Sequence, residues 1–341
     1  MQTYRAVMLQ GRGGLEKLEE VALPLSEPGA GHLRVKVLAA GAGSTDIIMR
    51  IGKYIYAPPW PFVPGYEAVG TVDAVGDGIT AFKVGDRTAA LTVHGSFAEY
   101  LTRSADDFVP VPDGVADAEA VALILNYVTA YQMIHRNAKM QPGQTALVTG
   151  ANGGVGTALL ELLSLHGVRA LGACSEKHFE HVRALGGEPI PSRGEPLDQT
   201  VRRLLPSGVD AAFDIVGGAG AGECIRATRH GGAVVGYGFM GTIVNGKTSL
   251  WLTLRGFATL LVGARLVGRR GSFYGITALY RKNKRPIKDD LAKLFTLLKE
   301  AKLKPVIAHR LPLLAVRRSQ ELLLEGGVTG KVVLLRELGL S

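Results

Sequence analysis

The stretch "VTGANGGVGTALLELLSLHG", residues 148 to 167, sets a run of glycine and alanine directly before an apolar helical pattern. Ala151, Gly153 and Gly156 follow the spacing G-x-G-x-x-G with alanine in first place, and the short apolar run "TALVTG" leading into them reads as a strand. Glycine at 153 lets a pyrophosphate come close to the backbone. Glycine at 156 lets helix and strand pack closely, and the helix N-terminus offers N–H groups and partial positive charge to a phosphate. The chemistry implied is the holding of a dinucleotide; the alternative is a turn that merely tightens a strand-to-helix connection. Gly154 and Val155, inside the turn, join Ala151, Gly153 and Gly156 as candidate cofactor contacts.

A second strand, "RALGAC", would end where an acid usually binds the ribose 2′-hydroxyl of NAD. That place falls on Ala173, and "SEKH" follows, with Ser175, Lys177 and His178; Arg193 lies further on. Loss of the acid removes repulsion, and a hydroxyl with a cation suits a 2′-phosphate, so the reading favours NADPH over NADH. Glu176 as a ribose ligand and Lys177 as a solvated residue at a helix start are the alternatives. Gly217 in "FDIVGG" and Tyr237 in "GGAVVGYG" complete the candidate cofactor-binding set from these strands.

The elements that must position these residues fall into two patterns. Residues 1 to about 123 read as short strands between Gly, Pro and Asp, such as "HLRVKVLAAGAG", "EAVGTVDAVG" and "RTAALTV", which suits an antiparallel, barrel-like β domain. From "AVALILNYVTAYQMIHRNAKM" onward helices alternate with strands, which predicts a parallel, doubly wound sheet. Near the end "LAKLFTLLKEAKL" reads as a helix and "GKVVLL" as a strand returning to the first domain. The boundaries are therefore placed at 1–123 with 275–341 for one domain and 124–274 for the other.

Length and composition agree, since 341 residues exceed what one core usually fills. The apolar share of 47% and charged share of 20% are those of a soluble enzyme. The N-terminal "MQTYRAVMLQ" carries neither a signal peptide nor a membrane span. The most apolar late stretch, "LWLTLRGFATLLVGARLVG", is interrupted by Arg255 and Arg265 and reads as a buried or interfacial helix without stable membrane insertion. The two cysteines, Cys174 and Cys224, cannot form a disulfide framework or a thiolate zinc site, and they point to a reduced, cytoplasmic setting. The net charge of +9 is concentrated between Arg255 and Arg318, where sixteen Lys/Arg face three Asp/Glu. Such a segment would attract an acidic substrate, a carrier protein or an anionic surface, or would simply be a solvated face; no nucleic-acid partner is read from it.

Taken together, "GAGSTDIIMRIGKY", "VPGYEAVGTVDAVGDG", "VGDRTAAL", "GSFAEY", "NYVTAYQMI", "VTGANGGVG", "FDIVGG" and "GKVVLL" resemble, in order and spacing, the medium-chain dehydrogenase/reductase superfamily, in its zinc-free, zeta-crystallin-like quinone oxidoreductase branch. The resemblance implies an α/β protein: a GroES-like β-barrel catalytic domain built from both chain ends, with a Rossmann doubly wound cofactor domain between them. It also implies a small-molecule substrate and a homodimer. Zinc-dependent relatives carry Cys-His where this chain has Gly43 and Ser44, and Gly-His-Glu where it has Gly65, Tyr66 and Glu67, so no metal is expected. Many zinc-free relatives carry asparagine at Gly43, and its loss removes a polar anchor or makes room for a larger substrate. By the same comparison Tyr54 and Asp46 are the candidate catalytic residues, and Asn126 and Thr129 the nicotinamide contacts. Tyr54 is either a neutral hydrogen-bond donor to a substrate oxygen or an aromatic that packs the wall. His94 and His166 lack partners for catalysis. The activity expected is hydride transfer from NADPH to a quinone or α,β-unsaturated carbonyl. A nucleotide-binding protein with little turnover, or a redox-neutral cyclase or lyase, is the alternative.

Overall fold

Alternating strands and helices in the second half of the chain build a six-stranded parallel sheet. Its order is Gly187–Pro191, Arg169–Cys174, Thr145–Thr149, Val209–Asp214, Thr228–Gly236, Arg270–Phe273. In chain order this is 3-2-1-4-5-6, the Rossmann arrangement; sheets of this type bind ligands where the order reverses, which here is between the first and fourth strands. The central strands Thr145–Thr149 and Val209–Asp214 and the second half of Thr228–Gly236 are mostly apolar and buried, as strands covered on both faces are. Leu147, Leu171, Ala212 and Val234 are fully buried, and each large side chain among them contributes about 1.5 to 3 kcal/mol of transfer free energy. The helix Gly154–Leu165 turns Leu159, Leu160 and Leu163 inward and is followed by Gly167 at φ +72°, the left-handed stop that the sequence pattern anticipates.

The computed structural model describes residues 2–238, 243–244, 247–248 and 250–337. The chain divides into one unit of Met1–Val128 with Thr277–Ser341 and another of Thr129–Ile276. The boundaries read from the sequence lie a few residues earlier than these. The reason at the first is that a continuous helical segment, Asp117–Ala122 followed by the π-helical turn Leu123–Tyr127 and Val128–Gln132, offers no break for a sequence pattern to mark.

The first unit is a β structure of the GroES-like type. Its main sheet runs Ile307–Pro312, Lys331–Leu335, His32–Ala42, Glu67–Val75, Arg87–Leu91, Phe108–Pro110, with Tyr100–Ser104 also paired to His32–Ala42. The strand read from "GKVVLL" pairs antiparallel with His32–Ala42, so residues near the C-terminus close a sheet begun near the N-terminus. A hairpin of Thr3–Leu9 and Leu18–Pro24 adds to it, tied by N–H bonds from Val7 to the Phe97 carbonyl and from Leu9 to the Phe62 carbonyl, both 2.8 Å.

The stretch read as a buried or interfacial helix forms Leu250–Ala258, the π-helical turn Thr259–Gly263 and Ala264–Leu266. Leu260 and Ala264 are buried, whereas Leu254, Val262, Leu266 and Val267 stand exposed, so it is a surface helix with one inner side. No helix among the described residues is long and apolar enough to cross a membrane.

Candidate active site

The glycine turn sits at the C-terminal end of Thr145–Thr149, beside the reversal of strand order. Gly156 is demanded by the protein's own packing, because a Cβ there would strike the Gly150 carbonyl oxygen and the Ala151 backbone. Gly153 differs: its backbone is extended, and an added Cβ would meet only the Gly150 oxygen, at 3.3 Å. Above Gly153 the backbone is bare, and no side chain caps the helix Gly154–Leu165 that begins there. A bare turn and an uncapped helix start fit an anionic phosphate.

Across the reversal, Thr149 and Asp214 tie the two strand ends together. The Thr149 hydroxyl donates to Asp214 Oδ1 at 3.0 Å, and the Asp214 carboxylate accepts the N–H groups of Val216 and Gly217, each at 3.0 Å. Gly217 is thereby held at φ +65°. Burial pushes the Asp214 carboxyl above its usual range despite these bonds. The Tyr237 hydroxyl points to the Thr149 carbonyl at 3.5 Å, and burial raises its pKa, so it is a neutral group of the same cluster.

At the end of Arg169–Cys174, Ala173 is buried, Ser175 is half-buried and Lys177 is exposed. The Ser192 N–H donates to the Cys174 carbonyl at 3.0 Å, which sets the loop carrying exposed Arg193 next to this strand end. Ser175 and Lys177 follow this strand directly, and the Ser192 bond brings the loop that precedes Arg193 to the same strand end. His178 is buried beside them; its pKa is lowered by burial first and then by Lys177 and His181, so it is a neutral ring.

In the β unit the structure brings together three hydroxyls. Tyr54 Oη lies 2.7 Å from Tyr66 Oη and 2.6 Å from Thr277 Oγ1, and Tyr66 and Thr277 are hydrogen-bonded to each other. Tyr66 and Thr277 are buried, while Tyr54 is partly open. Burial, the largest cause in both tyrosines, raises their pKa values, so both stay protonated near neutrality. When Tyr54 turns its proton outward, Tyr66 can donate to its oxygen while Thr277 donates to Tyr66, a chain that strengthens the outgoing bond. Sequence reading noticed Tyr66 only as a lost metal ligand and did not notice Thr277; the signal available was a hydroxyl residue in a place where zinc-dependent relatives have histidine.

Asp46 does not join this ring. It is buried on the short helix Ser44–Arg50, and its Oδ2 accepts the Gly43 N–H at 2.9 Å, closing a capping contact with its own helix start. Burial pushes its carboxyl up to about 7. Nearby, Lys331 and Glu67 form a buried ion pair, and Glu67 Oε2 also accepts the Leu125 N–H at 2.7 Å. Gly41 makes room for that pair, since a Cβ there would run into the Glu67 carboxylate and the Lys331 stem. A Cβ on Gly43 would meet only Lys331 Nζ, at 4.0 Å, so the position is open. Asn126 and Thr129 are both buried along the helical segment at the unit boundary. Among the described residues no group of three or more His, Cys, Asp or Glu is placed to hold a metal ion. His166 Nε2 lies 3.0 Å from the Met140 carbonyl oxygen, and His94 Nδ1 lies 3.2 Å from Arg103 Nη2.

Residues 29–113 match the family model of the alcohol dehydrogenase GroES-like domain, and residues 188–334 match that of the zinc-binding dehydrogenases. The chain is similar to the synaptic vesicle membrane protein VAT-1 homolog-like of Mus musculus, at 29% identity over 343 residues, covering 98% of this chain and 81% of the relative. It is similar to the quinone oxidoreductase of Homo sapiens at 28% identity over 340 residues, covering 97% of each. Among solved structures, a mycobacterial protein complexed with NADPH superposes with a TM-score of 0.85 at 26% identity, covering 97% of this chain and 99% of that one.

Proposed function

The chain belongs to the medium-chain dehydrogenase/reductase superfamily, and from that membership we propose that it is an NADPH-dependent, zinc-independent reductase of quinones or α,β-unsaturated carbonyl compounds. The observation that carries the reading is the Tyr54–Tyr66–Thr277 hydroxyl ring, which occupies a place where zinc-dependent relatives put a metal ligand.

NADPH, when bound, supplies the hydride. The bare turn at Gly153 with Gly154, Val155 and Gly156 receives the pyrophosphate, and Ser175, Lys177 and Arg193 receive the 2′-phosphate. Asn126 and Thr129 orient the nicotinamide, and Gly217 with Tyr237 lines the cofactor site. Asp46 acts as a positioning residue that fixes the Gly43 turn. Tyr54 donates its proton to a hydrogen bond with the substrate oxygen, where negative charge grows as the β-carbon or quinone ring is reduced. A preorganised donor of this kind acts mainly on the transition state. Tyr54 remains a donor and does not become a base, because its burial favours the protonated form. Solvent supplies the single proton that completes the reduction. An isolated ketone gains little here, since glycine at 43 and tyrosine at 66 give no thiolate or imidazole to hold a polarising zinc.

Initial rates with a panel of quinones, enones and saturated ketones test the reading, each with NADPH or NADH and with or without a metal chelator. Reduction of a quinone or enone with NADPH, insensitive to the chelator, is the result expected. Zinc-dependent oxidation of alcohols, or tight NADPH binding without turnover of any acceptor, would replace it.

A further inference from the structure

Arg281 lies in the last turn of the helix Ile276–Lys282, four positions after the Thr277 of the hydroxyl ring. Its guanidinium lies over the Tyr56 ring, 4.8 Å from the centroid, and the Tyr56 ring stands edge-on to Tyr54 with centroids 5.8 Å apart. The guanidinium makes one long hydrogen bond, from Nη2 to the Tyr56 carbonyl at 3.4 Å. The ring contact holds the guanidinium beside Tyr56, and with a single long bond it keeps N–H donors for a further acceptor. Among the described residues no carboxylate pairs with Arg281. Two basic residues further along are different: Lys284 holds Asp107 at 2.6 Å, and Lys288 holds Asp106 at 3.2 Å. Asp107 also accepts the Tyr280 hydroxyl at 2.8 Å, so both nearby acids are engaged elsewhere.

The surroundings add to the same field. Arg103 donates to the His94 carbonyl, and the His94 ring is driven down to about 4 by burial first and then by Arg103 and Arg281. His94 is therefore neutral and adds no charge of its own; Arg103 faces Asp107, which leaves Arg281 as the cation beside Tyr54 and Tyr56.

We propose that Arg281 forms an anion subsite beside the Tyr54 hydroxyl ring, and that the preferred acceptor is an α,β-unsaturated carbonyl compound carrying a carboxylate. The planar fork matches a carboxylate in two parallel hydrogen bonds, while a neutral quinone offers it nothing of equal strength. This inference rests on the reductase reading for its catalytic consequence, but the subsite itself is a matter of binding.

The test pairs 4-phenyl-3-buten-2-one with its para-carboxylate, using NADPH at low ionic strength. Wild type is expected to favour the carboxylate by about tenfold or more in kcat/KM, a preference that shrinks with added salt. Arg281→Gln should bring the ratio of the two within about twofold of unity, with Arg281→Lys intermediate because it keeps charge but loses the fork. A wild-type ratio near one, or the same ratio in Arg281→Gln, overturns the subsite. If neither enone is reduced, the reductase reading falls, and calorimetric binding of the same two compounds to the NADPH complex decides the subsite alone. Tighter binding of the carboxylate that is lost in Arg281→Gln supports it, and equal affinities overturn it.

Discussion

Tyr66 and Thr277, 211 positions apart in the chain, share a hydrogen bond between their hydroxyls, and both reach the hydroxyl of Tyr54. A donor held by two neighbours is preorganised, so its removal should be felt in the chemical step. Tyr54→Phe is expected to lower kcat/KM for enones by about 10- to 100-fold with NADPH affinity nearly intact. Tyr66→Phe and Thr277→Val each leave Tyr54 one supporting hydroxyl and should cost about 3- to 10-fold, chiefly in kcat. Steady-state kinetics with NADPH titrations check this. Equal losses in cofactor affinity would mean that the ring serves the fold alone.

The cofactor assignment has its own test at Lys177 and Arg193, both exposed near the end of Arg169–Cys174. A charge-assisted bond to a phosphate is worth about 1.5 to 3 kcal/mol, so Lys177→Ala should weaken NADPH by about tenfold or more. NADH, which lacks the 2′-phosphate, should be almost unaffected. Fluorescence titration of both cofactors gives the comparison, and parallel losses would contradict the assignment.

How far the sequence anticipates this depends on how locally a feature is written. The Gly153 turn, the alternating strands and the returning "GKVVLL" strand are legible because each is encoded within a few residues and obeys one period. The hydroxyl ring is not, because Thr277 is brought to Tyr54 by a fold that joins the two ends of the chain, and no local pattern marks it. Asp46 is legible as a conspicuous acid but not as a cap, since only the geometry shows its oxygen turned back to the Gly43 N–H. The late apolar stretch is legible as a buried or interfacial helix, but its composition does not say which residues face outward, and Leu266 is 81% exposed.

Two glycines two positions apart should behave in opposite ways. Gly43 has an extended backbone and open space around its Cβ position, so Gly43→Ala should shift the melting temperature by no more than about 2 °C. At Gly41 a Cβ would press on the buried Glu67–Lys331 pair, and Gly41→Ala should cost about 1 to 3 kcal/mol. Thermal denaturation of the two variants side by side separates these outcomes; similar losses at both would contradict the packing described.

Asp46 predicts a pH dependence of stability. Its carboxyl is pushed by burial from 3.8 to about 7. Between those values the unfolded chain has lost the proton that the folded chain keeps, so this group's contribution to stability falls as pH rises through the window and levels off above it. Asp46→Asn cannot ionise. Its melting temperature relative to wild type should therefore rise by at least about 2 °C from pH 5 to pH 7 and stay level above. A constant difference across that range would contradict the raised pKa.

The central claim is hydride transfer to a conjugated acceptor, and isotopic labelling tests it most directly. The protein is incubated with an enone and NADPH deuterated at the nicotinamide C4 position, using each stereoisomer in turn, and the product is analysed by mass spectrometry and NMR. The account predicts that one stereoisomer places a single deuterium on the β-carbon, while the proton on the α-carbon comes from solvent. Deuterium on the carbonyl carbon, giving an allylic alcohol, or no transfer to any enone or quinone despite tight NADPH binding, would contradict it.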